Sequence, residues 1–300
     1  MTFAKAGSLQ SALNGKSQFE DEINSYQIVL SPTDIDTFFI TDEYCWFWDK
    51  KYPSGLQYSL KSIDGEAGIS QPQRRAASWV QLRLDSLRIY HFHDTSDQSP
   101  MKTIGDIDDN KFLRPNGSNL PAYLLLLKEK HPQSYSLIRS TIQKVTPFFN
   151  DFQLAPLRRN ENKIRLEWLH KSSDNYFDVS SLSDGTLRFI CLATLLLQPP
   201  KERPSIILLD EPELGLHPYA ISLLASMIKS AATQTQVIIS TQSPLLIDYF
   251  EPEDILVTEL EDGATTFKRL ESADLEEWLE DYSLGQLWEK NHFGGRPKHG

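Results

Sequence analysis

Apolar and polar positions along the chain change period near residue 180, and the two halves predict different kinds of structure. From Tyr26 to Ile63 the short runs YQIVL, DTFFIT and LQYSLKSI are separated by Ser, Pro, Asp and Gly, which predicts antiparallel strands. SLRIYHF, residues 86 to 92, predicts one more strand, and a polar, Asp-rich loop follows from 94 to 118. LPAYLLLLKEKHPQSYSLIRSTIQKVTPFF then reads as two helices, the first starting after Asn119 and the second ending near Pro147. KIRLEWLH and YFDVSS predict a hairpin around Ser172 to Asn175. The first two dozen residues, with Gly7, Ser8, Ser11, Asn14, Gly15 and Ser17, predict a loop or a weak helix.

In the second half a helix from about Asp184 to Leu197 precedes a strand over 205–209, a helix over 218–232 and a strand over 236–240. That alternation predicts a parallel α/β layer. Ala220, Leu223, Leu224, Met227, Ile228 and Ala231 share one helical face, the face expected to pack on the sheet. DILVTELEDGATTFKRL predicts a hairpin turning at Asp262 and Gly263, and an acidic helix with Leu275, Trp278 and Leu279 closes the chain. The expected fold class is therefore α/β, with an antiparallel β subdomain over 26–118, a helical insert over 119–150 and an α/β core over 151–271. Residues 1–25 form a starting loop in this division, and 272–300 a last helix and tail.

Composition narrows the class without naming it. A hydrophobic share of 40% with 24% charged residues is that of a water-soluble globular chain, and no internal repeat is present. The longest nearly apolar runs, FICLATLLL and AYLLLL, are too short to span a bilayer, and the N-terminus has no basic-then-apolar leader pattern. No membrane partner is expected, and a cytoplasmic location is. A net charge of -11 opposes attraction to nucleic acid over most of the surface, so DNA is a possible partner that overall charge does not indicate. Arg158, Arg159, Lys163 and Arg165 form a local basic cluster, which reads first as a solvated face. Cys45 and Cys191 lack partner motifs, and Cys191 sits in an apolar helical run as a small core residue. Trp46, Trp48, Trp278 and Trp288 are expected to anchor packing.

The candidate chemistry lies in SIILLDEPELGLHP, residues 205 to 218. An apolar strand runs into two adjacent carboxylates, Asp210 and Glu211, where α/β sheets place their ligands. Adjacent side chains diverge, so the two acids suit different tasks: one holds Mg²⁺ through water, the other orients and deprotonates a water attacking a phosphoryl group. Acids that merely cap the next helix are the plainer reading. Earlier, SSLSDGTLRF puts Ser183, Asp184 and Gly185 at a helix N-terminus, where backbone N–H groups suit an anion, though Ser and Asp are also common helix caps. Later, VIISTQSPLLID ends a strand in Thr241, Gln242 and Ser243, and Gln242 is placed to contact the same phosphate or its water. YHFHDTS sets His91 and His93 on one strand face next to Asp94. Without a third ligand at suitable spacing they read as a strand end lining the cleft rather than a metal site.

LSDGT, IILLDEPELGLHP and IISTQSP, in that order, resemble the second half of an ABC-type ATPase head, most nearly the branch related to RecF and SMC proteins. Within it the chain is similar to predicted ATPases of bacterial defence and DNA maintenance, whose ending is like DYSLGQLWEKNHFGGRP. The resemblance covers roughly residues 26 to 297. It implies that Asp210 is the Walker B magnesium residue and Glu211 the catalytic base. Ser183, Asp184 and Gly185 would form the signature motif, which reaches the ATP held by an opposite protomer. Gly215, Leu216 and His217 would belong to the D-loop at a dimer interface, His217 standing where many relatives carry aspartate. Gln242 stands where many carry histidine; an amide orients water but cannot take its proton, which leaves that task to Glu211. ATP and Mg²⁺ are the implied cofactors, and the implied partners are a second head and possible nuclease or other effector subunits.

Such heads also carry G-x-x-x-x-G-K-S/T, a loop whose amides and lysine hold the β and γ phosphates. The nearest segment is GSLQSALNGKS, where Gly7 and Gly15 are eight apart instead of five and no apolar strand precedes. Charge-assisted hydrogen bonds contribute about 1.5 to 3 kcal/mol each, so losing three weakens binding by roughly three to six powers of ten. The chain is thus expected to be truncated ahead of its first strand and weak toward ATP by itself. A subunit that lends Ser183 to a complete partner, or a non-catalytic regulatory subunit docking on an ATPase or nuclease, is the second reading. A Mg²⁺-dependent nuclease using Asp210, Glu211 and nearby acids is a third, and it leaves the ordered signature and switch motifs unexplained.

Overall fold

The computed structural model describes residues 2–4, 22–32, 38–49, 51, 53–62, 66–71, 75–85, 87–261 and 264–295. The segment from Gly7 to Ser17, the Asp262 and Gly263 turn and the RPKHG tail lie outside the described residues. Contacts divide the chain into two compact units. One holds Met1–Ile89, Arg203–Leu208 and Ala231–Ile238, the other Tyr90–Glu202, Leu209–Ser230 and Ile239–Gly300.

In the first unit, β1 (Thr2–Ala4), β2 (Glu22–Pro32), β3 (Phe38–Asp49) and β4 (Leu56–Ser59) pair as a four-stranded antiparallel sheet in that order. The period-two pattern of β3 puts Glu43 and Cys45 on the buried face, 2% and 0% exposed, while Asp42 points to solvent. Helix α1 (Arg75–Asp85) contributes Ala77, Val80 and Leu84, at helical spacing, to a core with Tyr26, Cys45 and Ile69. A buried carboxylate needs partners, and Glu43 has three: the Tyr26 hydroxyl donates to Oε1 at 2.9 Å, and the Gly68 and Ile69 amides donate to Oε2 and Oε1 at 2.6 and 2.9 Å. Burial and the neighbouring Glu43 carboxylate push the Tyr26 hydroxyl far above its ordinary value, so it stays a donor. β5 (Arg88–Tyr90) follows.

In the second unit β6 (Gly105–Asp106) leads into a loop held by Asn119. Its buried amide donates to the carbonyls of Asp109 and Phe112 and accepts from the Arg114 amide, which satisfies a loop that has no ladder of its own. Helices α2 (Leu120–Lys130) and α3 (Pro132–Val145) come next, each with proline in its first turn, and α3 packs on α2. β7 (Phe149–Gln153), β8 (Pro156–Leu157), β9 (Asn160–Ile164), β10 (Glu167–His170) and β11 (Tyr176–Asp178) follow, with β7, β10 and β11 forming one antiparallel sheet and β6, β9 and β8 another. Phe149 meets Phe152 edge to face and stacks on Trp168, and all three are buried.

Helix α4 (Asp184–Leu197) is buried from Phe189 through Leu196, and α3 packs against it. Cys191 lies inside it, fully buried, and burial pushes its thiol well above the ordinary range, so it is inert packing rather than chemistry. β12 (Ile206–Asp210), α5 (Pro218–Ala232) and β13 (Gln236–Ser240) form the expected strand–helix–strand unit. Ser205 O accepts from the Gln236 amide at the start of both strands and Ser240 O from the Glu211 amide at their ends, so the pair is parallel; the sheet order is β13-β12-β5. Ala220, Leu224, Met227, Ile228 and Ala231 of α5 are buried as their spacing predicts. A short helix α6 (Pro244–Ile247), the hairpin β14 (Leu256–Glu261) with β15 (Ala264–Arg269), and helices α7 (Ser272–Leu279) and α8 (Leu284–Glu289) complete the unit. Their core is Ile247, Val257, Leu270, Leu275, Leu284, Leu287 and Phe293, with Trp288 packed against it. Among the described residues no helix is long and apolar enough to cross a membrane.

Candidate functional site

The site grows from the end of β12, whose Ile207 and Leu209 are buried and fix the strand while Asp210 emerges half-exposed. At the next residue the chain leaves the sheet abruptly. Glu211 has φ of 36°, a left-handed conformation that costs a non-glycine residue about 1–3 kcal/mol. Its amide is tied to Ser240 O at 2.8 Å and its carbonyl accepts from the Leu214 amide at 3.1 Å. These bonds hold the strained residue in place.

The loop after β13 meets this turn at two points. Gln242 Nε2 donates to Glu211 Oε1 at 3.2 Å, and the Thr241 hydroxyl donates to Glu213 Oε1 at 2.5 Å. Thr241 Oγ1 also accepts from the Ser243 amide at 3.0 Å. Glu213 is only 9% exposed, and its Oε2 has no hydrogen-bond partner among the described residues. Burial raises the Glu213 carboxyl above its ordinary value. The Thr241 hydrogen bond opposes this rise, and the charges of Glu211 and Asp210 add to it.

On the other side, Ser183 caps α4: its Oγ accepts from the Thr186 amide at 3.2 Å and lies 2.8 Å from the Thr186 hydroxyl. Asp184 is exposed, with Lys102 Nζ 3.9 Å from its Oδ1. Gly185 lies so close to the next loop that a Cβ there would stand 2.4 Å from the Gly215 carbonyl oxygen. Gly215 itself has φ of +75°, and a Cβ on it would meet the Arg188 guanidinium at 2.7 Å. Leu216 is half-buried against Ile221 and Leu246, while His217 is exposed and caps α5, its Nδ1 accepting from the Tyr219 amide at 3.2 Å.

Arg188 joins these parts. Its Nη1 donates to Leu214 O at 2.9 Å and its Nη2 to His93 O at 2.8 Å, while His93 Nε2 lies 2.7 Å from Asp210 O. His91 Nδ1 is 4.0 Å from Asp210 Oδ2. His93 therefore supports the backbone of the Asp210 segment, and among the described residues no cluster of three His, Cys, Asp or Glu is arranged to hold a metal by itself. A small cavity of about 10 Å³, at the lower limit for one water, opens beside Asp210, Glu211, His93 and Arg188.

The structure thus brings Asp210, Glu211 and Gln242 together, and separately brings Gly185 against Gly215. Arg188 and Glu213 went unremarked in the sequence. An arginine inside the otherwise apolar RFICLATLLL helix is the signal that marks the first. For Glu213 the signal is weaker, a third acid two residues past the pair.

With this geometry in hand, a family profile described as "AAA domain, putative AbiEii toxin, Type IV TA system" matches residues 26–248. The chain belongs to that AAA family. No curated protein matches it. Among solved structures it is similar to the Smc head bound to the C-winged helix domain of ScpA, at 13% identity, over 84% of this chain and 75% of that one, with a TM-score of 0.48. It is also similar to the SMC head domain from Thermotoga maritima, at 10% identity, over 86% and 82%, TM-score 0.40. A third is the Smc head with an extended coiled coil bound to the C-terminal domain of ScpA from Pyrococcus furiosus, at 13% identity, over 87% and 79%, TM-score 0.44.

Membership places this AAA domain in a nucleotide-binding ATPase class, for which nucleotide and usually Mg²⁺ are the implied ligands. The donor set fits the metal and water side of that chemistry: Asp210 offers an accessible oxygen ligand of the hard type Mg²⁺ takes, and Glu211 a second, amide-oriented carboxylate beside it. The 300 residues contain no G-x-x-x-x-G-K-S/T segment for the phosphates.

Proposed function

We propose that this AAA domain hydrolyses ATP to ADP and phosphate, with Glu211 as general base and Asp210 holding Mg²⁺ through water. The observation that carries the reading is the Gln242 amide donating to Glu211 Oε1 beneath a backbone held at φ of 36°. Glu211 is the group on this chain placed to accept the proton of an attacking water, and Gln242 fixes the direction of its free oxygen. Mg²⁺, when bound, neutralises phosphate charge; every proton is handled by Glu211.

Ser183, Asp184 and Gly185 contribute the helix N-terminus for the γ-phosphate of a second head's nucleotide, and the exposed Leu214, His217 and Tyr219 form the matching dimer contact. Because no phosphate loop occurs in these residues, nucleotide binding by the 300-residue chain alone is weak, and a second segment or subunit supplies the phosphate cradle. We place this activity in bacterial defence or DNA maintenance, with a nuclease or other effector as the partner; the family description itself names a putative AbiEii toxin and a type IV TA system.

Glu211→Gln tests this reading. In the complete native protein with Mg·ATP it is expected to trap an ATP-bound dimer, seen as a doubled mass in light scattering that reverts when ATP is washed out. An ATP-independent mass, equal in wild type and variant, overturns the dimer role. The absence of the phosphate-loop pattern favours a second reading, a regulatory subunit that docks on a complete ATPase; it predicts that mixing with such a partner restores the ATP-dependent complex.

A further inference from the structure

We infer that Glu213 and Thr241 form a positioning latch that sets the Gln242 amide on Glu211, an inference that rests on Glu211 being the base. Glu213 is a costly residue for its place. A buried carboxylate with one oxygen unpaired carries a desolvation penalty of about 1–3 kcal/mol, which an apolar residue of similar size would not. What the acid provides is a strong acceptor at one point. The Thr241 hydroxyl donates to Glu213 Oε1 while its own oxygen accepts from the Ser243 amide, so the hydroxyl is used in both directions. The result is a bolt between the segment after β12 and the segment after β13.

Gln242 lies between the two ends of that bolt. It is exposed, and among the described residues its side chain makes one hydrogen bond, to Glu211 Oε1 at 3.2 Å. A long amide with three rotatable bonds and one contact of that length is poorly fixed by itself. Its backbone is fixed instead by Thr241 on one side and by Ser243 on the other, and Ser243 is anchored again as the cap of α6 through the Leu246 amide at 3.2 Å. Register across the gap comes from the Ser240 carbonyl on the Glu211 amide, but that bond sets only the main chain. The Glu213 to Thr241 bond adds the second point that stops the loop rotating about it. Neither residue touches the reacting atoms, so both are positioning residues that act through Gln242 and Glu211.

The test reads the Gln242 side-chain amide directly, by ¹⁵N–¹H NMR of the full chain without nucleotide, alongside steady-state ATP hydrolysis by the complete native protein. Thr241→Val and Glu213→Ala are each expected to move and broaden the Gln242 amide pair and to lower kcat about 10- to 100-fold with KM little changed. The double variant is expected to be no worse than either single one, since both cut the same bolt. Thr241→Ser, which keeps the hydroxyl, is expected to retain the wild-type amide signal, and it guards against a fold defect in the valine variant. An unmoved Gln242 amide in both disrupting variants, with unfolding curves like the wild type's, overturns the latch. Moved amide signals in a protein that hydrolyses no ATP would leave the latch standing and remove the hydrolytic reading beneath it.

Discussion

Gly185 faces the carbonyl oxygen of Gly215 across a gap that admits no side chain: a Cβ at 185 would lie 2.4 Å from that oxygen. Two segments that sequence reasoning treats as separate motifs are therefore in backbone contact within one chain. Gly185 lies in the first turn of α4, where helix propensity alone would make alanine better by about 1 kcal/mol. The clash is against main chain, which cannot swing aside, and overpacking of this kind costs about 1–3 kcal/mol. We expect Gly185→Ala to lower stability in urea denaturation; a stability gain would show that the contact opens freely.

Arg188 donates to two carbonyls from separate loops, Leu214 and His93. Hydrogen bonds from a charged donor contribute about 1.5–3 kcal/mol each, and a lysine ammonium lacks the planar fork that spans two acceptors. Arg188→Ala is expected to destabilise the protein by roughly 3 kcal/mol, and Arg188→Lys to recover less than half of that. Hydrogen exchange should report the loss first at residues 214–217; a loss spread evenly over the chain would contradict the local role.

Glu213 gives a pH dependence of defined sign. Its native carboxyl is raised above the ordinary value of 4.5, so the native state holds that proton more tightly than the unfolded chain does. Its contribution to stability is complete below the unfolded value and is lost as pH rises through the raised native value. Glu213→Gln removes this loss. The stability of wild type minus that of the variant, from urea curves at several values between about pH 4 and pH 8, is expected to fall with rising pH. A constant difference means that the carboxyl is not raised.

In the first unit Glu43 is the acceptor for Tyr26, Gly68 and Ile69 together. Glu43→Ala takes the shared acceptor away from two amides and a phenol at a buried position, and a loss of about 3 kcal/mol or more is expected. Tyr26→Phe removes only one donor and is expected to cost about 1 kcal/mol. Thermal unfolding of the two variants checks the order, and an equal loss would show that the amides find other partners.

The alternating half of the chain was legible because its signals are local. The face of α5 and the strand–helix–strand unit follow from spacing alone, and the acids at the end of β12 from the switch from apolar to charged residues. Helix α1 was not foreseen: Ala77, Val80 and Leu84 make a narrow apolar face in a polar segment, and it takes Tyr26 and Cys45 from distant strands to make it a core. The pairing of Gln242 with Glu211 was legible as a shared destination, not as a bond. Arg188, His93 and Glu213 were not legible in their roles, because each acts on a backbone carbonyl or a hydroxyl brought near by the sheet, and a carbonyl carries no sequence signature.

The central claim, that Asp210, Glu211 and Gln242 make a site of Mg·ATP hydrolysis, is tested most directly by phosphate release from Mg·ATP. The protein is purified from its source cells as the complete native species, with Glu211→Gln prepared alongside. General-base catalysis contributes about 10²- to 10⁴-fold, so the account predicts steady release by the wild type and a fall of at least about 100-fold in the variant with ATP still bound. Equal release by the two proteins, or none by either, would contradict it.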